Sequence, residues 1–199
     1  MQVELPDVEM RLTIVDGRPM DDEELFEFCA SNRHVRIERD TNGEIVLMPL
    51  PGCETSHRGC EVIGQLGAWT KRDGRGVGLT RCGFFLPDGA MRSPHICWVS
   101  KSRLANLTKK QKQQFLPLCP DFVVELTSPS DRLSKVKAKM REWIENGASL
   151  GWLIDADRRT VYVYRPGKEP EELAGVDHID GEGPVAGFRL ELNDIWEEL

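Results

Sequence analysis

Residues 119–155, CPDFVVELTSPSDRLSKVKAKMREWIENGASLGWLID, carry three elements and the joints between them. Phe122–Leu126 is a near-continuous apolar run, the pattern of a strand buried on both faces. Ser128-Pro129-Ser130-Asp131 offers N-cap chemistry for a helix over residues 132–146, with Gly147 at its C′ position. Residues 150–154 form the next strand, and Val124, Leu126, Val136, Met140, Trp143, Trp152 and Ile154 are expected to join the central strand, its helix and this strand in one core. Glu125 is the odd residue. By alternation Phe122, Val124 and Leu126 share one face, and Val123 and Glu125 the other. An ionised carboxylate in such a strand is costly unless something compensates it, the plain alternative being a strand-end Glu facing water. The helix offers a partner. Leu133, Val136, Met140, Trp143 and Ile144 form its apolar stripe, and at about 100° per residue Arg132 and Lys139 fall roughly 70–90° to one side of it. Both lie at the rim, able to lean over the sheet towards Glu125, although a solvated basic face has the same pattern.

Working outward, residues 54–71 show helical spacing through Val62, Leu66 and Trp69, and residues 73–76 end that helix. Residues 21–29 form a short helix with acidic residues in its first turn. Residues 35–39 and 44–48 alternate around Asp40-Thr41-Asn42-Gly43, a hairpin signal. Residues 78–86 form one or two strands before the turn Pro87-Asp88-Gly89, and residues 96–99 another. Residues 101–115 are polar and basic, short helices around a loop. Residues 161–164 form a further strand. Phe188 and Leu190, then Ile195 and Trp196, form a closing strand and helix. Helix, strands, helix, strands imply a mixed sheet with helices packed on it. The expectation is one domain over 1–199, with a 1–50 helix and hairpin extension, a 51–165 core and a 166–199 closing segment.

Composition narrows the classes. The chain has 199 residues, 40% hydrophobic and 30% charged, enough for one core. No apolar run reaches the roughly 18–20 residues of a membrane helix, so no membrane is expected. The first twenty residues hold no apolar h-region, and six scattered cysteines form no CxxC pair. Together these predict a cytoplasmic protein with reduced, mostly buried thiols. The net charge of −7 hides a basic middle: residues 51–154 carry 16 Lys/Arg against 9 Asp/Glu, while both flanks are acidic. Such a middle suits an anionic substrate, and equally suits pairing between segments. Gly74-x-Gly76-x-Gly78 follows a helix and precedes a strand, the reverse of a dinucleotide fingerprint. Cys53, His57 and Cys60 lack a fourth metal ligand nearby and fit a turn with incidental thiols better.

Several stretches together resemble the Uma-two family of endonucleases, in the restriction-endonuclease-like PD-(D/E)XK group. They are Arg36-Ile37-Glu38 with Gly43-Glu44-Ile45, Gly83 through Gly89, Arg92-Ser93-Pro94, and 119–155 with its Glu125, Lys139 and Gly151-Trp152-Leu153-Ile154-Asp155. The resemblance spans residues 21–196. It implies an α/β fold, a mixed β-sheet flanked by helices, and metal-dependent phosphodiester hydrolysis. The group's Glu falls on Glu125. Its Lys, which would stand at Thr127, is moved to the helix at Lys139, and an additional acidic residue on the first core helix matches Glu61. The family's Asp should follow Ser93-Pro94, where this chain has His95.

Two readings follow. In the first, a divalent-metal-dependent DNA endonuclease, His95 and Glu125 ligate the metal, with Glu61 and the Leu126 carbonyl as further candidates. Mg²⁺ or Mn²⁺ is implied, and a transition metal is favoured with an imidazole ligand. Lys139 then stabilises the transition state, while Arg132, Lys109, Lys110 and Lys112 contact DNA phosphates. In the second, His95 marks a catalytically degenerate member that binds nucleic acid or protein. Oligomeric state is open, a homodimer included.

Overall fold

The computed structural model describes residues 10–12, 20–48, 50–129 and 131–199. In chain order the elements are β1 (Met10–Leu12), α1 (Asp22–Ser31), β2 (Arg36–Arg39), β3 (Ile45–Met48), α2 (Cys53–Asp73), β4 (Gly76–Thr80), β5 (Phe84–Phe85), β6 (Met91–Arg92) and β7 (Ile96–Ser100). They continue with α3 (Lys101–Ala105), α4 (Lys109–Lys112), β8 (Phe122–Leu126), α5 (Leu133–Glu145), β9 (Leu150–Asp155) and β10 (Thr160–Tyr164). Last come β11 (Glu171–Ala174), β12 (His178–Asp180), a 3-10 turn (Gly183–Val185), β13 (Arg189–Glu191) and α6 (Asn193–Trp196).

Local chemistry explains the main boundaries. Asp21 caps α1 through a capping box: its carboxylate accepts from the Glu24 amide at 2.9 Å, and Glu24 returns the bond at 3.0 Å. The start of α5 differs from the expectation. Its N-cap is Arg132, with no side-chain cap bond, because the Asp131 carboxylate is taken by the Ser128 amide at 2.8 Å and hydroxyl at 2.7 Å. That closes the turn between strand and helix instead of capping it. Gly147 ends the helix at φ 111°, a conformation that side-chain-bearing residues rarely adopt.

The main sheet has six strands in the order β11-β10-β9-β8-β7-β4. Only β8 and β9 run parallel, with Glu125 beside Leu153, and α5 is the crossover that such a pair requires. Gly151 lets α5 lie close, since a Cβ there would meet the Met140 methyl at 2.5 Å. Both faces of the sheet are covered. Phe122, Val124, Leu126, Trp152 and Ile154 pack with Val62, Leu66 and Trp69 of α2 and with the C-terminal residues Phe188, Leu190 and Ile195. Val123, Leu153 and Tyr162 pack with Met140 and Trp143 of α5. The expected core is therefore two cores, and Val124 and Leu126 face away from α5. Val136 is only partly buried, while Met140, Trp143, Trp152 and Ile154 are buried as expected.

A second, antiparallel sheet runs β1-β3-β2-β6-β5. The hairpin β2–β3 forms as the Asn42-Gly43 turn implies, and Arg39 pairs with Met91 of β6. The N-terminal segment is thus stitched to the core. The small strands β11 and β12 went unforeseen because most of their residues are polar and exposed. All six cysteines are free, but only Cys97 and Cys119 are buried and Cys53 and Cys60 are exposed, so the expectation of mostly buried thiols does not hold. No helix among the described residues is long and apolar enough to cross a membrane.

Candidate active site

Glu125 is 1% exposed and lies on the face of β8 that α5 covers. Every bond it makes follows from that placement. Lys139, from the rim of α5, brings Nζ to 3.0 Å from Oε1. Trp143, one helical turn on, donates its indole N–H to the same oxygen at 3.1 Å. His95 stands immediately before β7, where Ile96 pairs with Val124, and its Nδ1 lies 2.5 Å from Oε2. His95, Glu125 and Lys139 therefore meet in one place, as strand alternation and the helical rim predict.

Two residues of the cluster escape sequence reasoning. Glu38 and Arg36 alternate with Ile37 on β2, and both turn away from the α1 core towards Lys139. Glu38 is 2% exposed. Its Oε1 lies 2.8 Å from Lys139 Nζ and accepts from the Ser93 amide at 3.0 Å, while Arg92 is 3.4 Å from Oε2. Arg92 also holds Glu142 of α5 with two bonds, at 2.8 and 2.9 Å. Arg36 donates to the Ser93 carbonyl and brings Nη1 to 3.4 Å from His95 Nε2. The signal was two like-facing charged residues on a strand whose other face is apolar. Reading it requires knowing that β2 brings Glu38 beside Lys139 of α5 and Ser93.

The electrostatics follow from this packing. Burial raises the Glu125 carboxyl, but the Lys139 charge, the His95 bond and Arg36 outweigh it and hold Glu125 well below the usual carboxylate range. Glu38 is likewise lowered: burial acts upward, and Lys139, Arg36 and Arg92 act downward more strongly. Both carboxylates stay ionised at neutral pH inside a shell of cations. The cluster opens to solvent through Arg36, His95 and Lys139, whose side chains are 25%, 23% and 17% exposed.

A divalent ion needs several oxygen or nitrogen donors converging on one point. Here all four carboxylate oxygens of Glu38 and Glu125 face protein cations or N–H groups. Nδ1 and Oε2 are in direct contact, closer than two ligands of one ion stand. Among the described residues, no three His, Cys, Asp or Glu side chains form a group able to hold a metal, Cys53, His57 and Cys60 included. The donor arrangement does not fit the divalent ion that the sequence led one to expect on His95 and Glu125.

The other expected site residues lie elsewhere. Glu61 belongs to α2, which covers the opposite face of the sheet from the one on which α5 meets Glu125. Arg132, Lys109, Lys110 and Lys112 are exposed on the surface. Lys110 is engaged by Glu23 at 2.9 Å.

A mixed sheet flanked by helices, with an ion cluster at the end of its central strand, is the arrangement expected of a restriction-endonuclease-like fold. The family model described as "Uma2: Putative restriction endonuclease" matches residues 22–193, and the chain belongs to that family. A crystal structure of "a putative nuclease belonging to DUF820" from Anabaena variabilis is similar in fold, with a TM-score of 0.69 and 24% identity. The likeness covers 80% of this chain and 89% of that one. No curated protein matches the chain.

Proposed function

We propose that this chain is an endonuclease that hydrolyses phosphodiester bonds in DNA, with the cluster around Glu125 as its reacting centre. The observation that carries the reading is the meeting of His95, Glu125 and Lys139 at a solvent-facing mouth, built from three separate elements. A merely structural ion pair has no need of an arginine and a histidine at the opening. Arg36 and Lys139 supply positive charge where a phosphate would sit, and such preorganised charge stabilises the phosphoryl oxygens as the transition state forms. Trp143 and Glu38 hold Glu125 and Lys139 in place. Exposed Lys109, Lys112 and Arg132 are the proposed contacts to the DNA backbone, which position the duplex without reading sequence.

The expected result is nicking of supercoiled plasmid by the full chain, and its loss in Arg36→Gln, whose partly exposed side chain is removable without opening a core. Equal nicking by both would remove the cluster from the reaction. A second reading, a member that binds nucleic acid without cutting it, is favoured by the full compensation of the two carboxylates. That reading has the wild type retarding DNA in gels without nicking it.

A further inference from the structure

The residue at the mouth beside Glu125 is also one that makes the cluster unfit for a divalent ion, because it occupies Oε2 itself. An Asp at position 95 would bring a third carboxylate to the mouth. His95 instead binds Glu125 directly. The 2.5 Å contact requires a hydrogen on Nδ1, shared with Oε2. The Leu126 amide, 3.4 Å from the same nitrogen, is too long a contact to reverse that choice. Nε2 is then the acceptor. It faces the mouth, with the Arg36 guanidinium 3.4 Å away. A buried carboxylate that fixes an imidazole through one nitrogen and leaves the other towards solvent is the arrangement that general-base catalysis uses.

We propose that His95 is the general base of a metal-independent phosphodiester hydrolysis, and that Glu125 is its positioning residue. The proposal rests on the reading of the chain as a DNA-cleaving enzyme. Arg36 and Lys139 provide the cationic seat, and a phosphoryl oxygen that draws Arg36 onto itself uncovers Nε2 beside the phosphorus. Nε2 takes a proton from a water molecule, and the water oxygen forms the new bond to phosphorus. The bond from phosphorus to the leaving sugar oxygen breaks, its electron pair staying on that oxygen. The leaving oxygen takes a proton from solvent at the mouth, and His95 returns its own to solvent. Water and a diester become a monoester and an alcohol, with no redox change. In this scheme Lys139 neutralises charge from within the cluster, and Glu125 stabilises the imidazolium while it exists.

The test uses the full chain and supercoiled plasmid, with excess EDTA in one arm and Mn²⁺ in the other, beside calorimetric titration of the protein with Mn²⁺ alone. The expected results are equal nicking in both arms and no heat of Mn²⁺ binding. His95→Asn, whose side-chain amide still donates to Glu125 but has no basic nitrogen, should lose roughly 10²–10⁴-fold in rate while its thermal melt stays that of the wild type. Glu125→Gln should lower kcat and leave the DNA dissociation constant unchanged, which a structural role alone would not do. Nicking that appears only with Mn²⁺ overturns the dyad and leaves the endonuclease reading standing. Nicking by His95→Asn at the wild-type rate does the same. No nicking in either arm overturns both.

Discussion

Replacing Lys139 by Met removes the one ammonium that two buried carboxylates share. Its Nζ lies 2.8 Å from Glu38 and 3.0 Å from Glu125. At an effective dielectric near 20, each such pair is worth about 6 kcal/mol before the desolvation of its members is subtracted. The two carboxylates do not suffer equally. Glu38 keeps Arg92 at 3.4 Å and Arg36 at 3.6 Å, whereas the direct contacts left to Glu125 are His95 and Trp143, with Arg36 acting from farther off. The loss therefore falls on Glu125, and breaking a buried pair from one side costs about 3–5 kcal/mol. Urea unfolding at pH 7 should show that loss. The pH dependence gives the sign. In the wild type both carboxyls are lowered on folding, so their contribution is complete above the unfolded value near ~4.3 and is lost as pH falls through the folded values. Without Lys139 the largest charge that opposes the burial of Glu125 is gone, its carboxyl rises, and the variant loses less stability than the wild type on acidification. The gap between the two proteins should narrow from pH 7 to about 4.5. A loss under about 1 kcal/mol at pH 7, or a gap independent of pH, would refute the shared-cation account.

Other perturbations separate the parts of the account. Trp143→Phe keeps the packing on Phe84 but removes the N–H that Glu125 accepts, and should cost about 1.5–3 kcal/mol in the same melts. Glu61→Ala should change nicking and stability by little, within about 0.5 kcal/mol, because α2 faces the other core. Lys109→Ala with Lys112→Ala should weaken binding of any duplex alike. By filter binding or anisotropy across a salt series, the pair should lower the slope of log affinity against log salt by about 1.8.

Much of this arrangement was legible in the chain. Glu125 declared itself as a carboxylate in an apolar strand, and Lys139 by its angle to the helix stripe. Both readings depend on periodicity, which is local, and both elements formed where they were expected. What failed depended on which face of the sheet each helix covers, and a strand alternating with near-uniform apolar residues does not encode that. Glu61 enters the site through the family resemblance alone, with nothing in the chain to say which face α2 covers, and Val124, expected in one core with α5, packs against α2 instead. Glu38 and Arg36 were passed over because their hairpin looked like an appendage. The Arg39–Met91 pairing and the bonds from Glu38 to Ser93 and Lys139 make it a wall of the site. Trp143 was read as core alone, since nothing in its spacing shows where the indole N–H points. The hydrogen bond between His95 and Glu125 links residues thirty positions apart, and only the pairing of β7 with β8 brings them together.

The central claim is that phosphodiester bonds break at the cluster around Glu125. It is tested most directly by nicking of supercoiled plasmid with Glu125→Gln beside the wild type, after matched melts confirm that both are folded. The variant should bind plasmid as the wild type does and nick it at least ~100-fold more slowly, because the neutral amide no longer supports the charge on His95. A Glu125→Gln protein that nicks at the wild-type rate would contradict it.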